Sequence, residues 1–137
     1  MDCIFCKIVA GSLPSFKVYE NSAALAFMDI NPLSDGHVLV IPKAHSANLW
    51  EIEEGSLRDT IAAARVVALG MKNALGLDSL DVVQANGPFA LQTVEHLHFH
   101  LVPRRAGDRV PLDWELAPGN RDRILALRER RDRKSVV

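Results

Sequence analysis

The chain has 137 residues, enough for one domain that buries about 70% of its unfolded surface, so a core needs neither a disulfide nor a partner. It is 48% hydrophobic and 24% charged with a net charge of −1, which excludes a broad electrostatic pull toward nucleic acid or an anionic membrane surface. The amino terminus, MDCIFCKIVAG, has an acid at position 2 and only a short apolar run, and no stretch approaches the ~20 apolar residues of a membrane span, so the expected location is the cytoplasm.

Cys3 and Cys6, the two cysteines, form a C-x-x-C. In a reducing compartment such a pair reads as half of a zinc site, a redox pair or two idle thiols rather than a structural disulfide. The redox reading wants a strand before the pair, and none precedes it. The zinc reading lacks two ligands at this stage. Phe5 to Ala10 fits a short helix ended by Gly11. Phe16–Glu20 and Ala23–Ile30 read as a hairpin about Asn21-Ser22. Asn31-Pro32 and Ser34-Asp35-Gly36 punctuate a loop. His37–Pro42 is a third strand whose continuous apolar run predicts cover on both faces. Ser56 and Asp59 give the S-x-x-D form of a helix start. Leu57, Ile61, Ala64, Ala68, Met71 and Leu75 then recur at steps of three and four, and Gly76 is placed to cap the helix. Leu80–Ala85 is a fourth strand, followed by a turn at Asn86-Gly87-Pro88.

The fifth strand is the informative one. From Val94 to Arg104 the sequence reads VEHLHFHLVPR, with His96, His98 and His100 at a spacing of two and apolar residues between them. That is the period of a strand, so all three imidazoles project from one face, spread over roughly 13 Å, while Leu97, Phe99 and Leu101 point into a core. Pro103, without an N–H, is expected to end the ladder. Imidazole titrates near neutrality and is a common metal ligand, so three on one face point to metal binding, proton handling or nucleophilic attack. Arg105–Gly119 is a Pro- and Gly-punctuated segment carrying Trp114. Asn120 is placed to cap a last helix to about Arg133, and 121–134 holds seven basic against three acidic residues. No aromatic residues interleave that run, so nucleic-acid binding is not expected. The pattern predicts an α+β fold: a five-stranded, mostly antiparallel sheet with one long helix and a C-terminal helix.

HLHFHLVPR resembles the signature of the histidine triad family. CIFCKI, LAFMDINPLSDGHVLVIPKAH and QANGPFALQTVEHLHFHLVPR resemble family segments in order and spacing. The resemblance covers residues 2–104 of a single domain over 1–137, with 105–137 as an extension, and is nearest to the small zinc-containing, nucleotide-binding bacterial branch. It implies a homodimer that binds a purine nucleotide and hydrolyses or transfers a nucleoside monophosphate, AMP above all. By that resemblance His98 is the nucleophile, His100 contacts phosphate oxygens, and His37 stabilises phosphate charge. Asp29 would accept the ribose hydroxyls. Ile4, Phe5, Ile8, Phe27 and Ile30 would enclose the base, with Met28 beside them. Asn86, Gln92 and Thr93 would contact the phosphate and leaving group. Zn2+ would be held by Cys3, Cys6, His45 and His96. Leu91 departs from the pattern, since the family usually has glycine immediately before the residue matching Gln92. Two rival readings stand beside this one. In the first, His96 and His98 share a catalytic zinc. In the second, the chain binds a purine nucleotide with little catalysis and acts through a protein partner.

Overall fold

A computed structural model describes residues 2–133, so Lys134, counted in the basic run, lies outside the described residues. Strands β1 (Lys17–Glu20), β2 (Ala24–Met28), β3 (Val38–Pro42), β4 (Ser79–Val83) and β5 (Phe99–Arg104) form one sheet in the order β1-β2-β3-β5-β4. Every pairing in it is antiparallel. Helix α1 (Ile4–Val9) precedes the sheet, α2 (Glu54–Leu75) joins β3 to β4, and α3 (Arg121–Arg133) follows β5. The α+β expectation describes this architecture.

Side-chain alternation decides what covers each face of the sheet. Ala24, Ala26, Val38, Val40, Phe99 and Leu101 point to one face and pack with Ala63, Ala64, Val67 and Met71 of α2. Leu25, Phe27, Leu39 and Ile41 point to the other and pack with Phe5 of α1. β2 and β3 are thus covered on both sides, which is why they read as unbroken apolar runs. His100 pairs with Leu39, so the histidines belong to the α1 face.

The structure corrects expectations about α2 and about β5. The core stripe of α2 is Thr60, Ala63, Ala64, Val67 and Met71, not the face that includes Ile61 and Leu75, which are 42% and 46% exposed. Steps of three and four admit both stripes. The small Ala63 and Ala64 let the helix approach the sheet, and Thr60 can be buried because its hydroxyl donates to Ser56 O at 2.7 Å. The helix also starts earlier than Ser56, with the Glu53 carboxylate accepting Gly55 N–H at 2.8 Å. The β5 ladder begins only at Phe99. His96 and His98 precede it, His96 closing a bend and the chain pinned there by Leu97 N–H to Ser46 O at 2.7 Å. Pro103 lies inside β5 rather than ending it. Its carbonyl accepts the Ser34 hydroxyl at 2.7 Å, so its nitrogen faces the same side, beyond the last β3 pair at Val38↔Leu101, where no ladder bond is needed.

The caps read from the sequence are present. Gly76 closes α2 in the left-handed region at φ 62°, and the Asn120 side chain accepts Arg123 N–H at 2.9 Å to open α3. Gly36 has φ +91°, and a Cβ there would lie 2.8 Å from Leu75 Cδ1. Gly36→Ala is therefore expected to cost about 1–2 kcal/mol for the backbone conformation alone, read as a lower urea midpoint.

Candidate active site and metal centre

Phe5 is the covering residue of the histidine face. Its ring meets Phe27, His96 and His98 edge-on, at centroid distances of 5.5, 5.8 and 5.2 Å. Burying imidazoles this way disfavours their charged forms, so hydrogen bonds rather than solvent decide where each proton sits.

The tautomers follow from their partners. His98 Nδ1 lies 2.8 Å from the His96 carbonyl. A carbonyl only accepts, so Nδ1 carries the proton and Nε2 is a bare lone pair. His37 Nδ1 accepts Leu33 N–H at 3.0 Å, so its proton is on Nε2, which donates to His100 Nδ1 at 2.9 Å. His100 then keeps its own proton on Nε2. Asp29 Oδ2 stands 3.5 Å from His37 Nε2, while Asp29 Oδ1 accepts Asn31 N–H at 2.8 Å. The site therefore holds one bare nitrogen, on His98, beside an N–H donor on His100 backed by His37 and Asp29. Burial lowers the pKa of His98 against the opposing pull of its hydrogen bond and of Asp29. Burial and the neighbouring His98 and His37 push His100 down to about 4.

These groups line a cavity of about 620 Å³, a size suited to a small-molecule ligand. His98, His100, His37 and Asp29 meet Ile4, Phe5, Ile8, Phe27, Met28 and Ile30 there, and Thr93 joins them. Phe5 and Phe27 are also core residues, whereas Ile4 and Ile30 are 48% and 77% exposed beside the opening. Apolar side chains left in water at a cavity mouth gain most when a flat apolar ligand covers them. Asn86 and Gln92 do not line the cavity. The Asn86 amide exchanges two 2.8 Å bonds with Gln84 and accepts Leu49 N–H at 2.7 Å. The Gln92 amide donates to Ala47 O and Val94 O at 2.6 and 3.0 Å and accepts Gly87 N–H at 2.8 Å. Both amides tie loop structure together, a use that local sequence does not reveal.

A second cluster stands next to the first. Cys3, Cys6, His45 and His96 bring four ligand atoms within 4.8 Å of one another. His96 Nε2 donates to Pro42 O at 2.8 Å, which leaves Nδ1 bare and facing both sulfurs and His45. His96 Nδ1 is 3.4 Å from Cys3 Sγ and 3.2 Å from His45 Nδ1, and Cys6 Sγ is 3.3 Å from His45 Nδ1. A tetrahedral zinc with ordinary bond lengths has N–N and N–S edges of about 3.3 and 3.6 Å. The cluster matches that shape and donor set, and with four protein ligands leaves no open position. His98 is not one of the four, so the shared-catalytic-zinc reading does not describe this arrangement. Asp29, His37 and His100 also converge, but His37 Nε2 carries a proton toward His100, so that trio is a hydrogen-bond relay rather than a metal cage.

A family model described as the HIT domain matches residues 10–107. The chain belongs to the histidine triad (HIT) family. This HIT chain is 47% identical over 103 residues to an adenosine 5'-monophosphoramidase of Saccharomyces cerevisiae, across 75% of its own length and 63% of that protein's. It is 40% identical over 130 residues to an adenosine 5'-monophosphoramidase of Schizosaccharomyces pombe, across 94% and 95% of the two chains. Among solved structures it is similar to a zinc-bound histidine triad family protein from Mycobacterium smegmatis, with TM-score 0.77, 35% identity and 85% of each chain covered.

Part of the cavity wall lies beyond the region that the HIT model matches. Pro111 and Leu112 line the cavity, after the match ends at 107. Arg104, the last residue of β5, anchors this segment. It grips Asp108 with two bonds at 2.9 and 3.0 Å, and reaches Asp81 at 2.7 Å and Asp113 at 3.0 Å. Sequence reading missed this wall, because the only local signal was an arginine four residues before an aspartate.

Proposed function

We propose that this chain releases AMP from an adenosine 5'-phosphoramidate through a covalent nucleotidyl-His98 intermediate. The observation that carries the reading is the bare Nε2 of His98, enforced by the 2.8 Å bond from Nδ1 to the His96 carbonyl. Nε2 attacks phosphorus, the phosphorus–amine bond breaks, and the amine departs with a proton. Water then attacks the phosphorus and His98 leaves, which divides one difficult displacement into two. The Nε2–H of His100 donates to a phosphate oxygen as charge grows there, and His37 supports that tautomer. Ile4, Ile8, Phe27 and Ile30 supply apolar surface for the base, and Asp29 keeps acceptor capacity for the ribose hydroxyls. The two fungal relatives named as adenosine 5'-monophosphoramidases support an adenylate with an amine leaving group.

We read Cys3, Cys6, His45 and His96 as a structural zinc site, supported by the donor geometry and by the zinc-bound relative. Zinc there would cross-link α1, the loop after β3 and the segment that leads into β5. A reducing cytoplasm would keep both thiols available to it. A homodimer is the assembly we propose. The support is the free edge of β4 with Val82, and Ile61 and Leu69 on α2, all about half exposed.

The test is turnover of adenosine 5'-phosphoramidate across pH. Burial disfavours the imidazolium of His98, so Nε2 stays bare until pH drops below the ordinary imidazole value of about 6.5. kcat/KM is expected to be level above that value and to fall on the acid side below it. An acid limb centred above pH 6.5 would contradict a buried neutral nucleophile. AMP binding with no turnover would favour the binding-module reading.

A further inference from the structure

Leu91 is the one non-glycine residue with positive φ among the described residues, at φ 63°. A side chain in that region costs free energy that glycine does not. The backbone is set by the loop itself: Leu91 N–H bonds Pro88 O and Gln92 N–H bonds Gly87 O, each at 3.1 Å. Glycine would satisfy the same bonds without strain. Nor does burial offset the cost, because Leu91 is 80% exposed. The folded chain therefore gains nothing visible from this side chain, yet it stands at the active-site cavity, on the loop that leads to His98. Strain held without structural return is a mark of a functional position.

The surroundings say what kind of group it meets. Ala90 and Val94 flank it on the same loop, and Pro111 and Leu112 add further carbon to the cavity wall. Among the described residues, no lysine or arginine lines this cavity. A leaving group carrying further phosphates would find no cation here. An uncharged group with an apolar body would find carbon surface to cover.

We infer that Leu91 is a specificity-determining contact for the leaving group, selecting amines with an apolar substituent. This rests on the phosphoramidase reading above and adds the class of amine. The chemistry is unchanged: the Nε2–phosphorus bond forms as the phosphorus–nitrogen bond breaks, and the amine leaves with a proton taken from water. What Leu91 adds is binding of the amine's substituent as water is driven from both surfaces.

The experiment compares two adenylates, the unsubstituted adenosine 5'-phosphoramidate and its N-benzyl derivative, on wild type, Leu91→Gly and Leu91→Ala. Each methylene that the substituent shields from water is worth a factor of about four in kcat/KM. The ratio of kcat/KM for the benzyl over the unsubstituted amide is expected to fall roughly tenfold in both variants, since both remove the isobutyl group that the substituent would cover. Leu91→Gly alone is expected to raise the thermal midpoint, because only glycine relieves the backbone. A ratio unchanged in both variants overturns the inference, as does a fall confined to Leu91→Gly, which would assign the effect to loop flexibility. Wild type that cleaves neither compound overturns the phosphoramidase reading and this inference with it. Turnover with an unchanged ratio overturns this inference alone.

Discussion

Replacing His98 by alanine is expected to lower turnover of adenosine 5'-phosphoramidate by on the order of 10⁴-fold or more, as removal of a covalent nucleophile does elsewhere. No neighbour can substitute for it. The bare nitrogen of His96 faces the Cys–His cluster, the acceptor nitrogen of His100 is filled by His37 Nε2–H, and that of His37 by Leu33 N–H. AMP affinity is expected to stay within a few-fold, because the surface that would hold the base and ribose lies on α1, β2 and the residues after it. Single-turnover quench with a radiolabelled adenylate gives the direct readout: label remains on wild-type protein and not on the variant. Retained turnover, or label on the variant, would remove His98 from its role. Circular dichroism guards against a folding artefact, since His98 is buried and its loss leaves a cavity.

The second large effect is expected at the metal cluster. Cys6→Ala should abolish stoichiometric zinc and lower the thermal midpoint by roughly 10 °C or more, the consequence of losing several kcal/mol of metal-linked folding energy in a domain of this size. The reason is local. α1 has six residues, too few to hold as a helix by its own hydrogen bonds. It is secured by Phe5 in the core and by Cys3 and Cys6 at the cluster. The damage should also reach the chemistry, because His96 offers its imidazole to the cluster and its carbonyl to His98. Loss of zinc would free that residue to turn, and with it the bond that keeps Nε2 bare. Elemental analysis and a thermal scan with and without a chelator test both statements. A zinc-free protein with an unchanged midpoint would refute the structural role.

Much of this was legible in the residues. Period-two alternation through His96, His98 and His100 places three imidazoles on one side whatever surrounds them, because successive side chains of an extended chain must point oppositely. The unbroken run in Val38–Ile41 marked a strand with two covered faces, and α1 and α2 are the covers. Gly76 and Asn120 marked helix ends because their cap geometry is a property of the residue itself.

What the sequence could not contain was the choice among partners distant along the chain. Which stripe of α2 meets the sheet was open, since two stripes share its spacing and only packing against Ala24, Ala26 and Val40 selects one. Asn86 and Gln92 look like ligand-binding amides in isolation, and their bonds to Gln84, Leu49, Ala47 and Gly87 depend on how the fold brings those segments together. Above all, the role of each histidine depends on which of its nitrogens is bare. That was decided by a carbonyl at Pro42, an amide at Leu33 and a bend at His96. That the histidines stand together follows from their spacing alone. Which one can attack depends on contacts between distant segments, because a proton on imidazole goes to whichever nitrogen finds an acceptor, and acceptors are set by the fold.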